Sequence, residues 1–347
     1  TDEQRPDSLG CYGSAWARTP YVDALARRGI VYQNCVCNSP VCVPSRASQL
    51  AARFGVSPLI IGLTIVGFGT SAPELVVNII GSLRGESALA FGNVVGSNIS
   101  NLALVLGAAA MLQSIEIEGS VIRREVPLLL LVTTVMTVMA LDTVLEGGTA
   151  RIGVSDAIVL LLLFTVFVYI TVQDVIISKK NDALLKEIEE SPLVVTEPAS
   201  RFHWASIVAG FALLFVGGEM TVRYSVAFAD VLGISTTLVG LFVVAIGTSL
   251  PELITSASAA WRKESDLALG NILGSNVFNS LIVLPASALA GTVAIPKGGI
   301  HDLVVSWLFA AALIPIFLIG RARLGRTSGI MLVVAYAAYA VMRVRGY

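Results

Sequence analysis

Two segments of this 347-residue chain repeat one another. The first begins at Gly55 and the second at Gly233, an offset of 178 residues. They align over 55 residues without a gap, and nearly half of the aligned positions are identical. Two unrelated apolar segments do not share this much sequence. The chain therefore contains two copies of one structural unit, and any fold proposed for it has to place both.

The residues around the two copies are typical of an all-α, polytopic membrane protein. The chain is 55% hydrophobic and 14% charged, with a mean hydropathy of +0.80, well outside the usual soluble range. The hydropathy indicates a lipid bilayer as the partner of the chain. The net charge of −1 argues against a nucleic-acid partner. Apolar stretches of about 20 residues, the length of a membrane-crossing helix, follow one another from Ser57. We predict nine spans, near 56–82, 87–112, 125–141, 152–177, 202–229, 234–260, 266–291, 302–320 and 328–345.

Basic residues in the connections between spans predict the orientation. The positive-inside rule assigns the connections richest in Lys and Arg to the cytoplasm. The connections rich in Lys and Arg alternate with connections that hold few basic residues. The sparse connections, on the opposite side of the membrane, contain Arg84, Arg151 and Lys297. Residues 1–54 are then cytoplasmic and Tyr347 lies outside, although Arg343 and Arg345 argue against that end. The cytoplasmic basic residues are Arg123, Arg124, Lys179, Lys180, Lys186, Arg262, Lys263, Arg321, Arg323 and Arg326.

The two copies cross the membrane in opposite senses, because five spans separate them. Many secondary transporters are built from such inverted-topology repeats, with an ion site near the midplane where the repeats meet. We therefore expect residues shared by both copies to form a site between them.

A short polar motif lies inside the first apolar span of each copy. It reads GTSAPE at Gly69–Glu74 and GTSLPE at Gly247–Glu252. Pro73 and Pro251 disrupt the helical hydrogen-bond ladder and free backbone carbonyls just before them. An ionised carboxylate inside a membrane costs several kcal/mol, so Glu74 and Glu252 are functional-site candidates.

A second polar motif follows in each copy, GNVVGSNISN from Gly92 and GNILGSNVFN from Gly270. Its serine and its last asparagine are four residues apart and so lie on one helix face. We expect the glycines Gly92, Gly96, Gly270 and Gly274 to permit close helix packing.

Together the motifs offer oxygen ligands without histidine or cysteine. Calcium takes six to eight such oxygens, and sodium accepts similar ligands, whereas zinc and copper prefer nitrogen or sulfur. The set therefore favours a hard cation such as calcium or sodium. The ten predicted ligands are Thr70, Ser71, Glu74, Ser97, Asn101, Thr248, Ser249, Glu252, Ser275 and Asn279.

From about Ala51 to the C-terminus, these paired motifs make the chain resemble the sodium/calcium exchanger family of the calcium/cation antiporter superfamily. The resemblance implies an inverted-repeat exchanger fold of ten helices, and sodium-for-calcium antiport by alternating access rather than enzymatic catalysis. It also implies that Glu74 and Glu252 are the central calcium ligands, that the other predicted ligands complete the calcium and sodium sites, and that no cofactor takes part. Some members carry aspartate at the position of Asn279, and asparagine at both 101 and 279 argues against potassium co-transport. Calcium/proton exchange and an inactive fusion product remain alternatives.

The family has one more helix before Gly55, which residues 1–50 cannot supply, so we expect about nine transmembrane helices with the first of the usual ten missing. That absence should leave the apolar surface of 56–82 exposed. The resemblance divides the chain into a first repeat, 51–177, a cytoplasmic linker, 178–201, and a second repeat, 202–347. We expect a multi-pass protein of the cell (inner) membrane.

Residues 1–48 instead resemble a fragment of a sulfatase N-terminal region. The stretch SPVCVPSRAS contains the CxPSR motif, in which Cys42 would be the nucleophile after conversion to formylglycine. The resemblance begins after the paired aspartates that would bind a metal and stops before the rest of the catalytic domain. We expect residues 1–50 to be no independent fold and to have no sulfatase activity.

Overall fold

The structure, a computed structural model, describes residues 58–117, 119, 121–141, 147, 150–181, 201–320 and 322–346. The described residues are almost entirely helical. In chain order the helices are α1 Leu59–Thr70, α2 Ala72–Leu83, α3 Ser87–Leu112, α4 Val126–Met139, α5 Val154–Asn181, α6 Arg201–Leu232, α7 Thr236–Thr248, α8 Leu250–Trp261, α9 Ser265–Ala290, α10 Gly299–Ile319 and α11 Arg326–Val344.

The helices occur at each of the nine predicted spans. By length and composition, five described helices could each cross a membrane. The number rises to seven when α1 with α2, and α7 with α8, are each counted as one bent span. The predicted all-α, multi-pass class is therefore confirmed. The prediction that a first helix is missing concerns residues before Pro58, which lie outside the described part of the chain.

The two repeats pack against each other through glycines. At each of the four glycines predicted to permit close packing, an added Cβ would lie 2.4–2.6 Å from a backbone oxygen of the facing helix. No side chain fits at that distance, so the backbones approach as closely as the sequence predicted. These positions are Gly92 and Gly96 of α3, which face α7, and Gly270 and Gly274 of α9, which face α1.

Two short antiparallel ladders join the connections between helices. Strand β1, Ile115–Glu116, pairs with β4, Arg323–Leu324, and β2, Arg151–Ile152, pairs with β3, Val293–Ala294. The connections after α3 and α10 therefore meet on one side of the bundle, and those after α4 and α9 on the other. This is the grouping that the basic residues predicted.

Helix α6 packs on the first repeat, although it belongs by sequence to the second half. Its Gly218 lies so close to α2 that an added Cβ would be 2.8 Å from Val76 Cγ1 and 3.2 Å from Ile80. The prediction that 56–82 exposes apolar surface is wrong for the described residues. Only Ile65 and Leu83 are exposed among the large apolar side chains of α1 and α2.

An exposed apolar face lies instead on α8, and one of its residues, Ile254, is equivalent to Val76, which α6 covers in the first repeat. It consists of Leu250, Ile254 and Trp261, which are 46%, 61% and 69% exposed. The two repeats are thus alike in their inner helices and differ in what covers them.

A buried ion pair connects α10 to α11. Arg343 Nε donates to Asp302 Oδ1 at 2.8 Å, and the Tyr339 hydroxyl donates to the same oxygen at 2.9 Å. Asp302 is fully buried. The Asp302 carboxylate offsets the charge of Arg343. Of the two basic residues that disfavour placing the C-terminus outside, only Arg345 therefore keeps that effect.

Candidate cation-binding site

The first polar motif breaks the helix in both repeats. The break falls at Ser71, with φ −87° and ψ 9°, and at Ser249, with φ −83° and ψ 7°. The axes of α1 and α2 differ by 44°, and those of α7 and α8 by 46°. Pro73 and Pro251 lie in the first turn of the new helix, where a missing backbone N–H costs little. The same sequence therefore produces the same break twice.

The two carboxylates follow these breaks directly. Glu74 and Glu252 lie in the first turns of α2 and α8, where the positive end of the helix dipole stabilises negative charge. Both side chains are fully buried. The motif thus places a carboxylate at a helix N-terminus inside the apolar bundle in each repeat.

Each carboxylate accepts a hydrogen bond from the serine of the other repeat. Ser71 Oγ donates to Glu252 Oε1 at 3.0 Å, and Ser249 Oγ donates to Glu74 Oε1 at 3.4 Å. The two contacts are equivalent by the 178-residue offset. They bring both breaks and both carboxylates into one cluster between the repeats.

The threonines make a second equivalent pair of contacts. Thr70 Oγ1 donates to Asn271 Oδ1, and Thr248 Oγ1 donates to Asn93 Oδ1, both at 3.2 Å. Thr70 also lies 3.3 Å from Ser275 Oγ. The structure therefore connects the break of each repeat to the second polar motif of the other.

Asn93 and Asn271 were not among the predicted site residues, although the sequence carried a signal. Each follows the first glycine of the second motif, is identical in the two copies, and lies four residues before the predicted serine. The spacing places Asn93, Ser97 and Asn101 along one helix face. Both Asn93 and Asn271 are fully buried.

The remaining predicted ligands lie on α3 and α9. Ser97, Asn101, Ser275 and Asn279 are fully buried. Asn101 and Asn279 each begin a π-helical segment, Asn101–Val105 and Asn279–Val283. Such segments insert an extra residue into a helical turn and occur frequently at functional sites.

Several oxygens of the ten predicted ligands have no hydrogen-bond partner within the described ranges. Buried polar atoms are normally paired, and leaving one unpaired costs about 1–3 kcal/mol. Carboxylate, hydroxyl and amide oxygens can together coordinate a hard cation. The donor set therefore fits calcium or sodium. The unpaired oxygens are Glu74 Oε2, Glu252 Oε2, Ser97 Oγ, Asn101 Oδ1 and Asn279 Oδ1.

A cavity of about 420 Å³ lies between α6 and the two breaks. Pro73, Thr248 and Pro251 line it on the side of the breaks, and Gly217 and Thr221 line it on α6. The cavity therefore reaches one predicted ligand, Thr248, from the side of α6. Cys42, the candidate nucleophile of the sulfatase-like fragment, lies outside the described residues.

Comparison with known proteins identifies two matches within the chain. The family described as sodium/calcium exchanger protein matches residues 41–173 and 202–345. The family described as sulfatase matches residues 1–60. The exchanger match covers most of the chain, and the sulfatase match covers only its start.

Individual relatives and a solved structure agree with the longer match. The inner membrane protein YrbG of Escherichia coli (strain K12) is 39% identical over 246 residues, 70% of this chain and 73% of the relative. The sodium/calcium exchanger MaX1 of Methanosarcina acetivorans is 28% identical over 320 residues, 85% of this chain and 91% of the relative. The structure of the sodium-calcium exchanger NCX_Mj soaked with Na⁺ and Sr²⁺ matches with a TM-score of 0.61 at 26% identity, covering 87% of this chain and 90% of that one.

Proposed function

Because the chain belongs to the sodium/calcium exchanger family, we propose that it exchanges sodium for calcium across the membrane by alternating access. The observation that carries this proposal is the buried cluster in which Ser71 contacts Glu252 and Ser249 contacts Glu74. The cluster lies between the two repeats, so a relative movement of the repeats would change the access of ions to it.

The assignment of residues follows from the atoms that lack partners. Glu74 and Glu252 supply the charge that holds calcium, and their unpaired Oε2 atoms are its first ligands. The threonine and serine hydroxyls of the breaks, with the serines and asparagines of α3 and α9, complete the calcium and sodium sites. The cargo ions need no cofactor.

Charge accounting explains how the two fluxes are coupled. When no cation is bound, two ionised carboxylates bring about −2 into a region of low dielectric, and closing both gates over them is strongly unfavourable. One calcium ion, or two or more sodium ions, cancels that charge. The loaded protein then changes between inward-facing and outward-facing states, whereas the unloaded protein does not. After an ion leaves on one side of the membrane, another cation must therefore bind there before the site can face the opposite side again.

We assign residues 51–177 and 202–347 to the two exchanger repeats and 178–201 to the cytoplasmic linker between them. The name of the YrbG relative and the arrangement of basic residues support an inner-membrane location with 1–54 in the cytoplasm. We assign residues 1–50 to a sulfatase-like fragment with no role in transport, although the exchanger match already begins at residue 41.

Calcium/proton exchange is the second candidate, because two buried carboxylates could carry two protons in place of sodium ions. The two functions differ in the gradient that drives calcium uptake into proteoliposomes. We expect uptake under an outward sodium gradient at constant pH, and none under an outward proton gradient without sodium. Uptake under the proton gradient alone would favour the second candidate. No uptake under either gradient would contradict both and indicate an inactive fusion product.

A further inference from the structure

We propose that Asn93 and Asn271 are positioning residues, which hold the proton of each site threonine away from the cation, and that Asn271 does so more strongly than Asn93. This inference rests on the proposed cation site. It adds two residues that touch no predicted carboxylate side chain and act through Thr248 and Thr70.

A threonine hydroxyl can bind a cation only through its lone pairs, so its single proton must be donated elsewhere. Thr70 Oγ1 lies 3.3 Å from Ser275 Oγ, which can donate or accept, and has two groups nearby that can only accept: Asn271 Oδ1 at 3.2 Å and the carbonyl oxygen of Gly67 at 3.3 Å. Donation to Gly67 would occupy a carbonyl next to the break. That carbonyl already accepts from the Ser71 backbone N–H at 3.2 Å, whereas donation to Asn271 keeps the hydroxyl lone pairs available for the cation.

In the second repeat, the hydroxyl of Thr248 has the equivalent two acceptors, an asparagine side chain and a backbone carbonyl. Thr248 Oγ1 lies 3.2 Å from Asn93 Oδ1 and 3.4 Å from the carbonyl oxygen of Ala245. All four side chains of the two contacts are at most 9% exposed, and both asparagines are fully buried. Two equivalent contacts at the same distance show that the arrangement belongs to the repeat unit.

The two asparagines differ in how firmly they are oriented. Asn271 Nδ2 donates to Ser256 Oγ at 2.9 Å and lies 3.4 Å from the carbonyl oxygen of Glu252. The Glu252 carbonyl can only accept, so the amide nitrogen must face it and the amide oxygen faces Thr70, while Ser256 adds a second partner for the nitrogen. Asn271 is therefore an obligatory acceptor.

Asn93 lacks this second attachment. Its Nδ2 has no hydrogen-bond partner in the described part of the chain. The position equivalent to Ser256 is Asn78, whose own Nδ2 donates to the carbonyl oxygen of Glu74 at 2.8 Å. Asn78 thus takes the acceptor that Asn271 uses in the other repeat, and no carbonyl fixes the amide of Asn93 among the described residues.

The test is calcium affinity, measured by binding of radioactive calcium to the purified full chain. We expect Asn271→Ala to weaken binding about fivefold to tenfold, the effect of losing one hydrogen bond, and Asn93→Ala to weaken it less. Asn276→Ala is the matched control, because Asn276 is also buried on α9 and, among the described residues, donates to the Ile272 carbonyl of its own helix. It should bind calcium like the wild type.

A double-mutant cycle separates positioning from a general structural role. Asn271→Ala should cause no further loss of affinity in a Thr70→Val background, because the proton that it positions is gone. Additive losses, or equal losses for Asn271→Ala and Asn276→Ala, would overturn the proposal. If Asn271→Ala does not fold, the cycle of Asn93→Ala with Thr248→Val poses the same question with the same outcomes. Wild-type protein that binds no calcium would instead contradict the proposed function.

Discussion

Ser71 and Glu252, separated by 181 positions in sequence, are joined by a 3.0 Å hydrogen bond inside the apolar bundle. The equivalent contact between Ser249 and Glu74 is longer, at 3.4 Å. Each break thus supports the carboxylate of the opposite repeat, and the two halves of the site depend on each other.

Removing a serine should therefore weaken the site through the opposite carboxylate. A hydrogen bond to a charged group contributes about 1.5–3 kcal/mol, so we expect Ser71→Ala to reduce calcium affinity by roughly tenfold or more. Ser249→Ala should have a smaller effect because its contact is longer. Calcium-dependent uptake measured over a range of concentrations checks both. A larger loss for Ser249→Ala would contradict the geometry.

Close packing of the repeats should make Gly96 intolerant of any side chain. An added Cβ would lie 2.4 Å from the Leu241 backbone oxygen, so Gly96→Ala should lower the thermal unfolding temperature or prevent purification as a monodisperse protein. Gly217→Ala is the control, because an added Cβ there has no atom within 4 Å. Equal stability of the two variants in detergent would show that α3 and α7 are not packed as described.

Substituting one partner of the buried ion pair between α10 and α11 should destabilise the protein much more than substituting both. Arg343→Met leaves the Asp302 carboxylate buried and uncompensated, which costs about 3–5 kcal/mol. The double variant with Asp302→Asn should recover much of this loss. Arg323→Met breaks the exposed contact with Glu116 and should cost at most about 1 kcal/mol. Unfolding in denaturant ranks the variants, and equal losses for Arg343→Met and Arg323→Met would refute the prediction.

The cavity beside α6 should admit water-soluble reagents. The four cysteines of the chain all lie within the first 42 residues, so replacing them with serine gives a background for single cysteines. We expect Thr221→Cys to react with a charged thiol reagent that then slows calcium uptake. Thr165→Cys, on the exposed surface of α5, should face lipid and react little. Reaction of Thr165→Cys alone would mean that the cavity is closed to water.

The sequence predicted the repeats and the breaks because each depends on residue types at fixed spacing, and the ten ligands proposed from the same spacing stay a prediction. Proline in a helix interior removes a backbone hydrogen bond and kinks or breaks the helix, and four-residue spacing places residues on one helix face. The prediction that residues 56–82 expose apolar surface was wrong. The sequence of α6 does not indicate that Gly218 packs on Val76 of the other repeat. Asn93 and Asn271 were missed because their partners, Thr248 and Thr70, belong to the opposite copy and become neighbours only after the fold has formed.

The measurement that tests the account most directly is calcium uptake by proteoliposomes under an outward sodium gradient, with the two buried carboxylates neutralised one at a time. Glu74→Gln and Glu252→Gln should each abolish uptake while leaving the protein folded, because either change removes half of the charge that holds calcium. Glu116→Gln, which alters a carboxylate 71% exposed on the surface, should transport like the wild type. Full uptake by either site variant would contradict the assignment of the site.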